Sequence, residues 1–187
     1  MSKSGYIYFS YKTKNIRVKQ NLTTGSPYRN TPHYEYPQEI PEPFADIVEE
    51  LRTKVQNARS THIKKAISGN VAVAKLELDM GGVYSQEATS KRDPLNIPGE
   101  EDGPKLFFEP RLNRIASCNN KEHAEYKLFN KIAEELERDD LSLDAEGILY
   151  LYTERDMCSG CNITCDEDFK MRFPKIQVII FYERPYP

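Results

Sequence analysis

Two short patterns, far apart in the chain, carry residue types able to do chemistry: His123-Ala124-Glu125 and Cys158-Ser159-Gly160-Cys161. One imidazole and two thiolates are a zinc donor set. Structural zinc takes four protein ligands, whereas catalytic zinc takes three and keeps a position for water. A Cys-x-x-Cys turn opening a helix puts both sulfurs on one side, where the helix dipole and free N–H groups favour thiolates. Glu125 follows His123 by two residues, so on an ideal helix the two point roughly 200° apart, which makes the carboxylate a poor co-ligand. At a frayed first turn the same spacing can bring it beside water activated by the metal. There it can take a proton and return it to a leaving amine, which is the equipment of a hydrolytic deamination.

Other readings of these residues stand beside that one. Cys158 and Cys161 alone suit a redox dithiol placed between a strand and a helix. Cys165, four positions after Cys161, could close a four-ligand structural site or be a small buried residue of the next helix. Cys118, five positions before His123, raises a nucleophile–base pair. His33 and His62 lie outside either pattern.

The elements that must position these groups can be read from periodicity. Ala124, Leu128, Ile132, Ala133 and Leu136 form one helical stripe, with Asn119-Asn120 as a cap upstream and an end near Asp139-Asp140. Gly147–Thr153 and Ile176–Tyr182 are continuous enough in β-prone residues for buried central strands, and residues 161–173 hold a helix ended by Pro174. Earlier, Phe44, Ile47, Val48, Leu51, Val55, Ile63, Ala66 and Ile67 recur at helical spacing, with Ser68-Gly69-Asn70 as a stop. Residues 71–78 alternate, Gly81-Gly82 follows, and Val83-Tyr84-Ser85 continues, which predicts a β-hairpin. Residues 90–105, with three prolines, two glycines and an acidic run, predict a loop. The order of helices and strands implies one mixed sheet with helices on its faces, an α/β architecture.

Residues 1–42 read as an extension, in which Tyr6, Tyr8, Phe9 and Tyr11 precede a basic run and then a proline-rich stretch. Its aromatic and basic residues would suit single-stranded nucleic acid, but a strand pair or a leader packed on the core is the plainer reading. The second domain runs over 43–187. The net charge of −3 hides an asymmetry, since residues 1–70 hold 11 Lys/Arg against 6 Asp/Glu while the rest holds 15 against 23. Duplex-binding domains usually present the opposite sign over their site, so nucleic-acid contact requires a local patch or the basic N-terminus. No run approaches the roughly 18 apolar residues of a membrane span, and the first residues lack a signal-peptide core. Three of the four cysteines crowd into eight positions, which favours metal or redox chemistry in a reducing compartment over a disulfide framework.

Over about residues 70–187 the chain resembles the cytidine deaminase-like superfamily, whose signature is H-x-E followed by P-C-x-x-C. Leu151-Tyr152-Thr153-Glu154-Arg155 before the cysteines, and Phe169 to Phe173-Pro174-Lys175-Ile176 before the last strand, look like the deaminase domains of bacterial polymorphic toxins. The resemblance implies a three-layer α/β/α sandwich, with His123, Cys158 and Cys161 as Zn2+ ligands and Glu125 as proton shuttle. It implies removal of an exocyclic amine from a nucleobase, cytosine to uracil in a single- or double-stranded nucleic acid above all. Tyr84, Ser85 and Gln86, after the hairpin turn, match a base-pocket stretch. A toxin of this kind acts in the cytoplasm of a rival cell after delivery and has a cognate immunity protein as partner. The sequence departs from the signature at Met157, where the family has proline. Deamination of free nucleosides or nucleotides and a non-catalytic zinc-stabilised binding module are the alternatives.

Overall fold

The computed structural model describes residues 5–11, 14–20, 31–63, 69–90, 107–113, 118–141 and 144–186. Strands β1 (Gly5–Tyr11) and β2 (Lys14–Gln20) pair antiparallel as a separate two-stranded sheet. Then come β3 (His33–Glu35) and α1 (Ala45–Ala58), which continues as a π-helical turn over Arg59–Ile63. The hairpin β4 (Val71–Leu78) and β5 (Val83–Thr89) follows, and β6 (Leu112–Asn113) pairs with β7 (Cys118–Asn119) as a small ladder. Helix α2 (Ala124–Arg138) leads to β8 (Gly147–Arg155). A helical run follows, made of α3 (Ser159–Ile163), a π-helical stretch Thr164–Phe169 and α4 (Lys170–Arg172), and it stops before Pro174; β9 (Ile176–Arg184) is last.

The main sheet has the order β3-β9-β8-β4-β5. Strands β3, β9 and β8 run parallel, and β4 and β5 are antiparallel to their neighbours, so the sheet is mixed as the sequence predicts. Side chains alternate across a strand, and here both sets are apolar. Val71, Val73, Ile148, Tyr150, Tyr152, Ile179 and Phe181 pack with Val48, Leu51 and Val55 of α1 on one face. Ala72, Ala74, Leu76, Leu149, Leu151, Val178 and Ile180 pack with α2 and with Phe169 and Phe173 on the other. The result is the α/β/α arrangement of a cytidine deaminase-like fold. Small residues at 72 and 74 leave room for α2 to lie close to the sheet. Gly81 and Gly82 turn the hairpin at φ +83° and +129°, a region that glycine enters without steric cost.

The sheet begins earlier than residue 43. His33–Glu35, inside the segment read as an extension, forms a parallel edge strand on β9. Tyr34 is buried and stacks on Phe181 with ring centroids 5.9 Å apart. A three-residue strand is too short to show a period of two. Residues 21–30, which open the proline-containing stretch, the end of the first helical pattern over 64–68 and residues 91–105 of the loop read over 90–105 lie outside the described residues. Among the described residues, no helix is long and apolar enough to cross a membrane.

Candidate active site

Two helix N-termini converge at the C-terminal end of β8. His123 is the N-cap of α2, and Cys158 is the N-cap of α3 and accepts a hydrogen bond from the Cys161 backbone N–H at 3.4 Å. His123 Nδ1 lies 3.2 Å from Cys158 Sγ and 3.6 Å from Cys161 Sγ. These three donor atoms, all within 4.8 Å of one another, form a group that could hold a metal ion. The sequence expected Asn119-Asn120 to cap α2. The structure gives the cap position to His123 and uses buried Asn120 as a clamp. Its carbonyl accepts from His123 N–H at 2.9 Å, and its side-chain amide donates to Thr164 Oγ1 at 3.1 Å and approaches Cys161 Sγ at 3.8 Å.

The cysteine turn is shaped from outside. A Cβ on Gly160 would sit 2.8 Å from the Arg111 carbonyl oxygen, so only glycine allows the 107–113 segment to cross this closely. Arg111 is fixed there by Asp168, with Nε to Oδ2 at 2.9 Å and a second bond from Nη2 to Oδ1. At the position where the family has proline, Met157 donates its N–H to Asp156 Oδ1 at 2.8 Å and accepts at its carbonyl from Asn162 Nδ2 at 3.1 Å. Side-chain hydrogen bonds thus hold the turn that a proline ring would stiffen. Cys165 is buried and does not belong to the His123–Cys158–Cys161 group, with its sulfur 3.5 Å from Thr31 Oγ1. Cys118 is exposed.

Glu125 occupies the first turn of α2 and is 3% exposed. Its Oε1 accepts from Asn70 Nδ2 at 2.6 Å and from Thr153 Oγ1 at 2.7 Å, and its Oε2 lies 3.9 Å from Cys161 Sγ. Burial pushes its carboxyl up to about 7, against the lowering effect of the Thr153 hydrogen bond. The Cys158 thiol is drawn down to about 5, first by its hydrogen bond with Cys161 and further by His123. Burial pushes the Cys161 thiol well up, and the hydrogen bond with Cys158 raises His123. Of the two thiols, Cys158 is the one drawn down and Cys161 the one pushed up.

The triplet Thr153-Glu154-Arg155 divides its labour by strand alternation. Thr153 points to Glu125. Glu154 points the other way, accepting from the Arg59 guanidinium and from Val71 N–H at 2.9 Å, and so ties the end of α1 to the head of β4. Arg155 returns to the first side and lines a cavity of about 200 Å³ with Asn70, Ser90, His123, Glu125, Asp156, Cys158 and Tyr186. The sequence did not single out Asn70, Ser90 or Tyr186 as site residues. Asn70 and Ser90 come together only because the hairpin pairs Val71 with Thr89, and Tyr186 only because β9 delivers it.

Tyr84, Ser85 and Gln86 sit on β5 outside that lining. Tyr84 donates to Asp139 Oδ2 at 2.8 Å, Ser85 Oγ accepts from Lys54 Nζ at 3.2 Å, and Gln86 Nε2 donates to Glu135 Oε1 at 2.5 Å.

No curated protein matches the chain. A family model of the toxin-deaminase type, described as the BURPS668_1122 family of deaminases, matches residues 49–184, and this span contains His123, Glu125, Cys158 and Cys161. With well over half of its 187 residues matched, the chain belongs to this toxin-deaminase family.

Proposed function

We propose that the chain is a zinc-dependent hydrolytic deaminase of a nucleobase, converting cytosine to uracil within a nucleic acid, and that it acts as a toxin. The observation that carries the reading is the placement of Glu125. Its carboxylate stands beside three metal donors without belonging to them, with one oxygen 3.9 Å from Cys161 Sγ.

The donor geometry fits zinc. Tetrahedral coordination with Zn–S of ~2.3 Å and Zn–N of ~2.0–2.1 Å separates N from S by about 3.6 Å, and the two separations here are 3.2 and 3.6 Å. Three donors, His123, Cys158 and Cys161, would hold the ion and leave a fourth position for water, whose pKa zinc lowers towards neutrality. Glu125 takes the proton of the attacking water at Oε2 and delivers it to the exocyclic nitrogen. Oxygen adds to the ring carbon, the carbon–nitrogen bond breaks, ammonia leaves, and the water's second proton passes from that oxygen to the ring nitrogen, giving uracil.

The cavity supports a substrate larger than its own volume. At about 200 Å³ it is smaller than the ~300–1,000 Å³ of sites that enclose drug-sized ligands, so it suits a single inserted base with sugar and phosphate outside. Half-buried Arg155 and Tyr186 in its lining are a cation and an aromatic ring of the kind that hold phosphate and stack on bases. Tyr84, Ser85 and Gln86 lie outside the cavity lining, with Ser85 turned to Lys54 of α1, so on this reading the inserted base does not rest on them. Residues 43–187 carry the catalytic machinery and residues 31–42 complete its sheet. The toxin would act in the cytoplasm of a target cell, with an immunity protein protecting the producer.

The acidic balance of residues 71–187 favours a second substrate class, free nucleosides or nucleotides. Incubation of the zinc-loaded protein with single-stranded DNA, duplex DNA, RNA and free cytidine, followed by base analysis, decides between them. Uracil is expected from a polymer. Uracil from free cytidine alone would remove the polymer reading, and no deaminated base from any substrate would remove the deaminase reading.

A further inference from the structure

Asn70 is the residue through which the head of β4 reaches the catalytic carboxylate. Its orientation is fixed without ambiguity, because the Arg155 backbone N–H, which can only donate, lies 3.1 Å from Oδ1. The amide nitrogen must then face the other way, 2.6 Å from Glu125 Oε1 and 2.8 Å from Thr153 Oγ1. The main chain of Asn70 is held as firmly. Its N–H donates to Ser90 Oγ at 2.7 Å, and its carbonyl accepts from Ser90 N–H at 2.9 Å. Asn70 is thus pinned from β5 and from the end of β8 before it meets Glu125.

The two donors to Glu125 are not equivalent. The Thr153 hydroxyl has one hydrogen and two acceptors in reach, Glu125 Oε1 at 2.7 Å and the Arg155 carbonyl at 2.9 Å. The Asn70 amide has two hydrogens and places one on each of its acceptors. It is therefore the committed donor, and Oε1 is the committed acceptor. Oε2 is left facing Cys161 and the metal-binding side.

We propose that Asn70 is a positioning residue that anchors Glu125 through Oε1 and thereby assigns proton transfer to Oε2. The proposal rests on the reading of Glu125 as proton carrier. Asn70 also lines the cavity, so a direct substrate contact is the competing role, and kinetics separate the two. Loss of a carboxylate anchor reduces kcat, whereas loss of a substrate contact raises KM.

The informative variant is Asn70→Asp, which keeps the shape and the acceptor for Arg155 N–H but removes the donor. With zinc content held at the wild-type value, kcat for ammonia release is expected to fall about 10–100-fold, the range for outer-shell partners of metal sites, with KM changed less than twofold. A KM effect at unchanged kcat, or no effect on either, overturns the proposal. A second measurement does not use activity: denaturant unfolding of the wild type, Asn70→Ala, Glu125→Ala and the double variant. The two single substitutions are expected to be non-additive, shifting the unfolding equilibrium by at least threefold from the product of their separate effects. Additivity overturns the anchor. If coupling is present while the wild type releases no ammonia from any substrate, the anchor stands and the deaminase reading fails.

Discussion

His33 Nδ1 lies 2.7 Å from Asp156 Oδ1, and both side chains are 4% exposed. The contact joins the first strand of the main sheet to the turn that enters the cysteines, since the same Asp156 oxygen accepts from Met157 N–H. Removal of one partner from a buried hydrogen bond costs about 1–3 kcal/mol. His33→Ala is therefore expected to destabilise the fold by about that much and to weaken metal retention, as read by denaturant unfolding and by zinc analysis after dialysis against a mild chelator. Deletion of residues 31–42 along with what precedes them should do more, because it also removes Tyr34 and Thr31 from the core. An unchanged unfolding midpoint for His33→Ala would show that the contact holds nothing in place.

The three proposed metal donors and Cys165 should separate cleanly under substitution. Cys158→Ser or Cys161→Ser is expected to remove bound zinc. Cys165→Ser should keep about one zinc per chain, since its sulfur faces Thr31 rather than His123. Metal analysis of the purified variants checks this. Loss of zinc in Cys165→Ser with the fold intact would return Cys165 to the coordination sphere.

Gly160 sets two effects against each other. On helix propensity alone, glycine to alanine stabilises by about 1 kcal/mol. The new Cβ would meet the Arg111 carbonyl oxygen at 2.8 Å, a backbone atom held in place by the Arg111–Asp168 pair. Overpacking of this kind costs about 1–3 kcal/mol, so Gly160→Ala is expected to destabilise on balance. A raised unfolding midpoint would show that the 107–113 segment yields.

Arg155 lines the cavity from the end of β8. If its guanidinium meets a substrate phosphate, Arg155→Ala raises KM for an oligonucleotide, leaves KM for free cytidine unchanged and reduces the salt slope of binding by about one. Fluorescence anisotropy across a salt series measures the slope. An identical slope in the two proteins would place the phosphate elsewhere.

Much of this was legible in the sequence because it rests on local spacing. The strands β8 and β9 and the stripe of α2 declare themselves by apolar runs and a helical period, and the His-x-Glu and Cys-x-x-Cys patterns include His123, Cys158 and Cys161, whose side-chain N and S atoms the fold brings within 4.8 Å of one another. What stayed hidden depends on pairing between distant segments. Asn70 meets Glu125 across 55 positions and Thr153 across 83, and no property of an isolated asparagine marks it for that. β3 is only three residues long and is held by contacts with β9, near the other end of the chain. The pattern at Tyr84-Ser85-Gln86 is legible as a strand, but strand letters do not say whether its residues reach the cavity, and these three lie outside its lining.

On the proposed mechanism Glu125 moves the proton and is not a metal ligand. Glu125→Gln, purified with its metal, tests it directly by parallel measurement of zinc per chain and of ammonia released from the substrate that the wild type deaminates. Zinc is expected to stay near one per chain while ammonia release falls by about 10²–10⁴-fold, the usual contribution of a positioned acid–base group. Ammonia release at the wild-type rate from Glu125→Gln would remove Glu125 from the proton path.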